Sequence, residues 1–155
     1  MSKSLARVKA ALAAGGIDPQ VFAMQQDTRT ARQAATAAGC TPDQIVKSIL
    51  FQGASGALYL FLTAGGNRVD EAKASGLAGE PLGRAGADAV RRVTGFAIGG
   101  VAPIGHLDAV ATWIDPRLLD FPAIWAAAGT PRHIFAIAPL DLLRLSEAIL
   151  ADFTA

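Results

Sequence analysis

The run Gln44-Ile45-Val46-Lys47-Ser48-Ile49-Leu50-Phe51 carries a single charge, Lys47, in a segment that otherwise reads as an apolar β-strand. Side chains alternate across a strand, so Ile45, Lys47, Ile49 and Phe51 share one face, and Val46, Ser48 and Leu50 the other. A lysine among isoleucines and a phenylalanine must snorkel to the sheet edge, find an anionic partner, or lower its pKa by desolvation. Two roles fit: an ammonium reaching water from an edge strand, or a cation at the wall of a pocket for an anionic or carbonyl-bearing ligand. The second unusual segment runs from Thr94 to His106, where four glycines and one proline alternate with apolar residues. Glycine allows positive φ and close approach to the backbone, and proline fixes the loop. Such a loop can be a tight structural bulge, or it can aim backbone N–H groups at a ligand oxygen, as in acyl transfer. Its glycine spacing is wrong for a dinucleotide fingerprint, and it lacks the lysine and hydroxyl residue that end a phosphate-binding loop.

Other side chains carry plainer expectations. Ser48 lies on the opposite face from Lys47, which argues against a serine–lysine nucleophilic pair. Cys40 sits beside a helix cap with no obvious base, His133 leads a strand, and Asp70 suits a salt bridge with Arg68 or Lys47. His106 follows the glycine-rich loop and is a candidate either for ligand contact or for a plain hydrogen bond. Arg84, Arg91 and Arg92 form a candidate basic patch.

The elements that must position these residues alternate along the chain. Leu5, Val8 and Leu12 recur at helical spacing until Gly15-Gly16 stops the helix. Val21 to Met24 reads as a short strand. Thr30-Ala31-Arg32-Gln33 and Thr41-Pro42-Asp43-Gln44 both have capping-box form; the first opens an alanine-rich helix ended by Gly39, the second a brief turn into the Lys47 strand. Gly53 to Gly56 joins that strand to Leu58–Leu62 as a hairpin. Helices are expected over Arg68 to Ser75, Asp88 to Val93, and Pro139 to Ser146, the last with Leu140 and Leu143 inward and Leu142 as a third candidate. Ala109 to Ile114, Ala123 to Ala127, His133 to Ala138 and a short run near Ile149 read as strands, with a turn of helix at Pro116 to Leu119. The pattern predicts an α+β fold: one domain over residues 1–155, with a mixed, mostly antiparallel sheet, curved or barrel-like, surrounded by helices.

Composition bounds the function. With 155 residues, 52% hydrophobic and 17% charged, the chain fills a core and is not disordered. Its net charge of +1 gives little long-range field for a polyanion, so nucleic-acid contact would rest on a local basic patch and be modest and salt-sensitive. One cysteine permits no intramolecular disulfide and no cysteine-rich zinc site. No metal or cofactor is expected. The longest apolar stretch, Gly56 to Ala64, is far short of a membrane span, and Met1 to Ala14 has no signal-like apolar core, so the expected location is cytoplasmic with no membrane partner.

Taken together, Gln44 to Ser48, the Arg68-Val69-Asp70 turn and Thr94 to Gly105 resemble, in order and spacing, the YbaK/EbsC family of aminoacyl-tRNA deacylases. These are relatives of the editing domain inserted in bacterial prolyl-tRNA synthetases. The resemblance covers about Leu5 to Leu145. It implies that fold and a free-standing editing hydrolase for the ester that joins a wrong amino acid to a tRNA 3′ end. It makes Lys47 the key polar side chain and places the family's glycine-x-x-x-proline loop on Gly99 to Pro103, with Gly99 and Gly100 near the substrate carbonyl. Phe51, Arg68, Asp70, Thr94, Ile98, Val101, Ala102, Pro103 and His106 are the substrate-contact candidates. Lys47 would hold either the terminal phosphate or the carbonyl oxygen. A pocket floored by Phe51 and Ile98 suggests alanine, serine or cysteine, and family members of the YbaK type act on cysteine wrongly attached to proline tRNA. The implied partners are the aminoacylated tRNA 3′ end and an aminoacyl-tRNA synthetase. The alternative is a non-catalytic module that holds an acceptor end or assists a synthetase.

Overall fold

Ser2 starts the first helix, its hydroxyl accepting the Leu5 N–H at 3.0 Å, and the computed structural model describes the chain from there to Ala155. This helix, α1 (Lys3–Ala14), buries Leu5, Val8 and Leu12, the stripe that 3.6-residue periodicity predicts. After β1 (Val21–Ala23), Thr30 and Gln33 close a reciprocal capping box at the start of α2 (Ala31–Ala38), and Gly39 ends it in the left-handed conformation. A 3₁₀ turn (Pro42–Gln44) then delivers the chain to β2 (Val46–Gly53), which turns back as β3 (Leu58–Ala64). The remaining order is α3 (Glu71–Ala78), β4 (Leu82–Arg84), α4 (Ala87–Thr94), β5 (Ala111–Ile114), a 3₁₀ turn (Pro116–Asp120), β6 (Ile124–Ala127), β7 (His133–Ile137), α5 (Pro139–Ser146) and β8 (Ile149–Leu150).

The strands form two sheets, one ordered β1-β7-β6 and one ordered β4-β2-β3-β5-β8. Among the described residues an isolated parallel bridge joins Ile45, just before β2, to Trp125 of β6, so the sheets approach at a seam without closing a barrel. Pairing is mixed: β2 is antiparallel to β3 and β4, whereas β3–β5 and β5–β8 are parallel. The two faces of β2 enter different cores, as the alternation requires. Val46 and Leu50 join Leu60, Leu62, Ile124, Phe135 and α1 between the sheets. Ile49 and Phe51 instead meet Phe61, Trp113 and Phe153 on the far side, where Phe61 and Trp113 stack at 5.1 Å.

Three local expectations are corrected. Asp70 stands outside α3 as its N-cap, its carboxylate accepting the Lys73 N–H at 3.1 Å, so that helix begins at Glu71 instead of Arg68. In α5 Leu142 is fully buried and Leu143 half-buried, while Leu140 is 71% exposed, because Pro139 and Leu142 define the inward stripe. Strand β4 was not anticipated from Pro81-Leu82-Gly83, a sequence with turn chemistry that its pairing with Phe51 to Gly53 overrides.

Candidate functional site

A cavity of about 640 Å³ lies at the seam between the sheets. One wall is the outer edge of β2 from Ile45 to Leu50; the others come from α2 (Ala31, Ala34), β6 (Trp125, Ala126), α4 (Val90) and the loop after α4 (Ile98, Gly99, Val101). Arg29 and Arg84 stand at its rim, and with Lys47 they are the charged residues lining it. No aspartate, glutamate or histidine lines it, so the wall offers cations and hydroxyls but no side-chain general base.

Lys47 is half-buried, and its ammonium donates a hydrogen bond to the backbone carbonyl of Asn67. That carbonyl belongs to a tightly held turn. Asp43 Oδ1 accepts the Gly66 N–H at 2.9 Å, and Asp115 Oδ2 accepts Ala64 N–H at 3.1 Å and Asn67 Nδ2 at 2.9 Å. Asp115, only 3% exposed, also accepts the Arg117 N–H through Oδ1 at 3.0 Å, and Arg117 Nε reaches Asp43 at 3.1 Å. The turn needs glycine for close approach, since a Cβ on Gly65 would lie 2.1 Å from the Pro42 carbonyl oxygen. Burial pushes the Lys47 pKa down, the Arg68 charge adds to that, and Asp115 and Asp43 oppose it. Lys47 therefore loses its proton at a lower pH than an ordinary lysine. One of its three donors is spent on Asn67, leaving the others for a ligand.

Across the cavity, the loop after α4 divides the residues that the motif groups together. Gly99 borders the cavity with φ +94°, and a Cβ there would meet the Arg29 side chain at 3.3 Å. Gly100 does not line it: its amide donates to the Ala97 carbonyl at 3.0 Å, and a Cβ would lie 2.9 Å from the Thr130 carbonyl carbon. Ile98 and Val101 reach the cavity. Ala102 is fully buried in the main core, and Thr94 is turned inward, its hydroxyl donating to Val90 O at 2.6 Å and accepting the Phe96 N–H at 3.1 Å. Pro103 and His106 border a separate, smaller cavity of about 220 Å³. There the His106 Nε2–H donates to the Ala102 carbonyl at 2.8 Å, and burial lowers its pKa. Phe51 packs in the far core instead of flooring the cavity, because β2 is already paired with β4 at that point and the ring turns onto Phe61 and Trp113. Arg68 is exposed beside Lys47, and Asp70 is occupied as a helix cap.

Several lining residues carried no sequence signal. Arg29 and Trp125 meet β2 only through the seam, and Asn67 contributes a backbone carbonyl that any residue would supply. The pair Gly65-Gly66 was a visible turn signal, but its connection to Lys47 through Asp115 spans 48 residues. Ser48 also borders the cavity, and its hydroxyl is buried with no hydrogen-bond partner among the described residues.

This fold has counterparts among known proteins. The model of the aminoacyl-tRNA editing domain matches residues 25–145, and the chain belongs to that family. Among solved structures, the crystal structure of a "putative trans-editing enzyme for prolyl tRNA synthetase" is 46% identical, with a TM-score of 0.92 over 100% of this chain and 99% of that one. The hypothetical protein APE2540 is 27% identical with a TM-score of 0.88, covering 96% of this chain and 99% of its own. An uncharacterized Bacillus subtilis protein, YwhH, is 27% identical over 126 residues, which is 81% of this chain and 80% of its length.

Proposed function

We propose that this protein is a free-standing deacylase that hydrolyses the ester between a small, wrongly attached amino acid and the tRNA 3′ end. The observation that carries the reading is the charge pattern of the cavity: apolar walls, three cationic residues and no side-chain base. An aminoacyl ester is already activated, so placing a water and stabilising the oxyanion supply much of the acceleration without a strong base. Arg29 and Arg84 at the rim suit the terminal phosphates, while Lys47, held by Asn67, stands where it can meet a phosphate or the carbonyl oxygen. The ribose hydroxyl next to the ester is available to carry the proton that no side chain takes.

Proline tRNA is the first candidate acceptor, because the 46% identical relative is described as serving prolyl-tRNA synthetase. Alanine, serine and cysteine are the candidate amino acids, since apolar walls discriminate most readily by excluding bulk. The test is release of amino acid from a panel of tRNAs charged with small and large residues, with and without a synthetase. Selective acceleration of small esters is expected. Tight binding of charged tRNA with no acceleration of any ester would leave a binding module in its place.

A further inference from the structure

The outer edge of β2 has an open window at Ser48. Two bonds define its register. Gly53 N–H donates to Ala57 O at 2.9 Å, closing the hairpin, and on the far side of β3 Asp115 N–H donates to Leu62 O at 2.8 Å. Leu62 is the residue opposite Ser48, and its carbonyl is thus turned away from β2. In an antiparallel ladder such a pair exchanges no bonds, so the N–H and C=O of Ser48 also point away from β3, toward the outer edge. That edge is bridged at Ile45 by Trp125 and paired from Phe51 onward by β4, with no strand between. The cavity fills the gap. By register, then, Ser48 turns its amide N–H and carbonyl toward the edge that the cavity borders, and its buried hydroxyl has no hydrogen-bond partner among the described residues.

Polar groups of this kind select a ligand that returns both a donor and an acceptor. A phosphate has only acceptors and is better served by the cationic rim; an apolar group would leave all three unsatisfied. An α-aminoacyl ester carries an amine nitrogen and a carbonyl oxygen on either side of one carbon, the same spacing as one residue of an added strand. Resting on the editing function proposed above, we infer that Ser48 binds the aminoacyl group as a single-residue β-strand. The substrate amine donates to the Ser48 carbonyl and the ester carbonyl accepts the Ser48 N–H. The Ser48 hydroxyl, buried without a partner, turns to another staggered well to take the second amine hydrogen. The cations Arg29, Lys47 and Arg84 favour the neutral amine, which remains a donor. Directly opposed residues of an antiparallel pair project to the same face, so an L-side chain is directed with Ser48 between the sheets, toward Val101 and Ala126. The wall that limits side-chain size is thus on that face, not on the Phe51 face.

The test charges one tRNA with alanyl, lactyl and propionyl groups, which carry an amine, a hydroxyl and no donor in turn. Each enzymatic rate is divided by the spontaneous hydrolysis rate of the same ester. The acceleration of the propionyl ester should be lower by about ten- to a hundred-fold, with lactyl between. Ser48→Ala should lose more on the alanyl than on the propionyl ester, because the two deletions remove the same bond. Equal acceleration of alanyl and propionyl esters overturns the inference while leaving the editing reading intact. A second measurement stands apart from catalysis: titration with 3′-alanylamido-3′-deoxyadenosine, followed by backbone amide NMR. Shifts centred on Ser48 that the propionylamido analogue does not produce support the inference even if no ester is hydrolysed, an outcome that would remove only the editing reading. Identical shifts from both analogues overturn it.

Discussion

Removing the charge at Lys47 should abolish turnover without harming the fold, and the structure sets both magnitudes. The ammonium is half-buried, holds one bond to Asn67 and has two donors left for substrate. A unit charge about 4 Å from a developing oxyanion or a phosphate, at an effective dielectric of about 20, gives a ceiling of about 4 kcal/mol. Desolvation subtracts from that, so the expected loss is about 2–4 kcal/mol of transition-state stabilisation, or about one and a half to three decades of rate. Stability should respond differently. Burial and Arg68 already disfavour the charged form of Lys47, so Lys47→Met keeps the stem and removes an ill-solvated cation. Its melting temperature should move by no more than a few degrees, with Lys47→Ala slightly lower for lost packing. Initial deacylation rates and thermal unfolding on the same preparations check both. The pH profile adds a sign: if the protonated lysine works, activity falls as pH rises through a pKa below the ordinary 10.5, after subtraction of base-catalysed hydrolysis. Near-normal turnover of Lys47→Ala, or a loss that merely follows the unfolded fraction, would refute the reasoning.

Other outcomes follow from single contacts. Gly100→Ala forces a methyl group against the Thr130 backbone at 2.9 Å and should lose about 1–3 kcal/mol of stability, lowering the melting temperature by several degrees, with activity of the folded fraction retained. Gly99→Ala, at φ +94° on the cavity side, should lose activity beyond its loss of stability; the two variants compared by rate and melting test this division of the loop. Arg84→Ala should weaken tRNA binding and reduce the slope of log K against log salt by about 1, measured by titrating labelled tRNA at several ionic strengths. His106 is half-buried with its pKa lowered, so the unfolded chain takes up a proton below the ordinary 6.5 that the folded chain refuses. Its contribution is complete above 6.5 and is lost as pH falls through and below that value, and His106→Gln should flatten this limb in urea unfolding at pH 5 and pH 7.5.

The sequence determined the parts of this protein that are local. Capping boxes at Thr30 and Thr41, the left-handed stop at Gly39, the β2–β3 hairpin and the proline-led α5 rest on interactions within a few residues, and each stands where its residues place it. Period-two alternation separated Lys47 from Ser48, and the structure keeps them on opposite faces. The inference that then went astray was to assign one of those faces to the pocket. The cavity lies along an edge of β2, not over a face, so residues of both parities border it while Phe51, deep in the far core, does not. No single-sequence signal specifies which edge of a strand is left unpaired, because that depends on where distant strands β4 and β6 stop. The same holds for Gly99 and Gly100, adjacent in one motif, one facing the cavity and one packed on Thr130. Tertiary structure alone decided these points, since edge pairing, close backbone approach and the burial of Asp115 beneath the Lys47 turn arise from contacts between segments tens of residues apart.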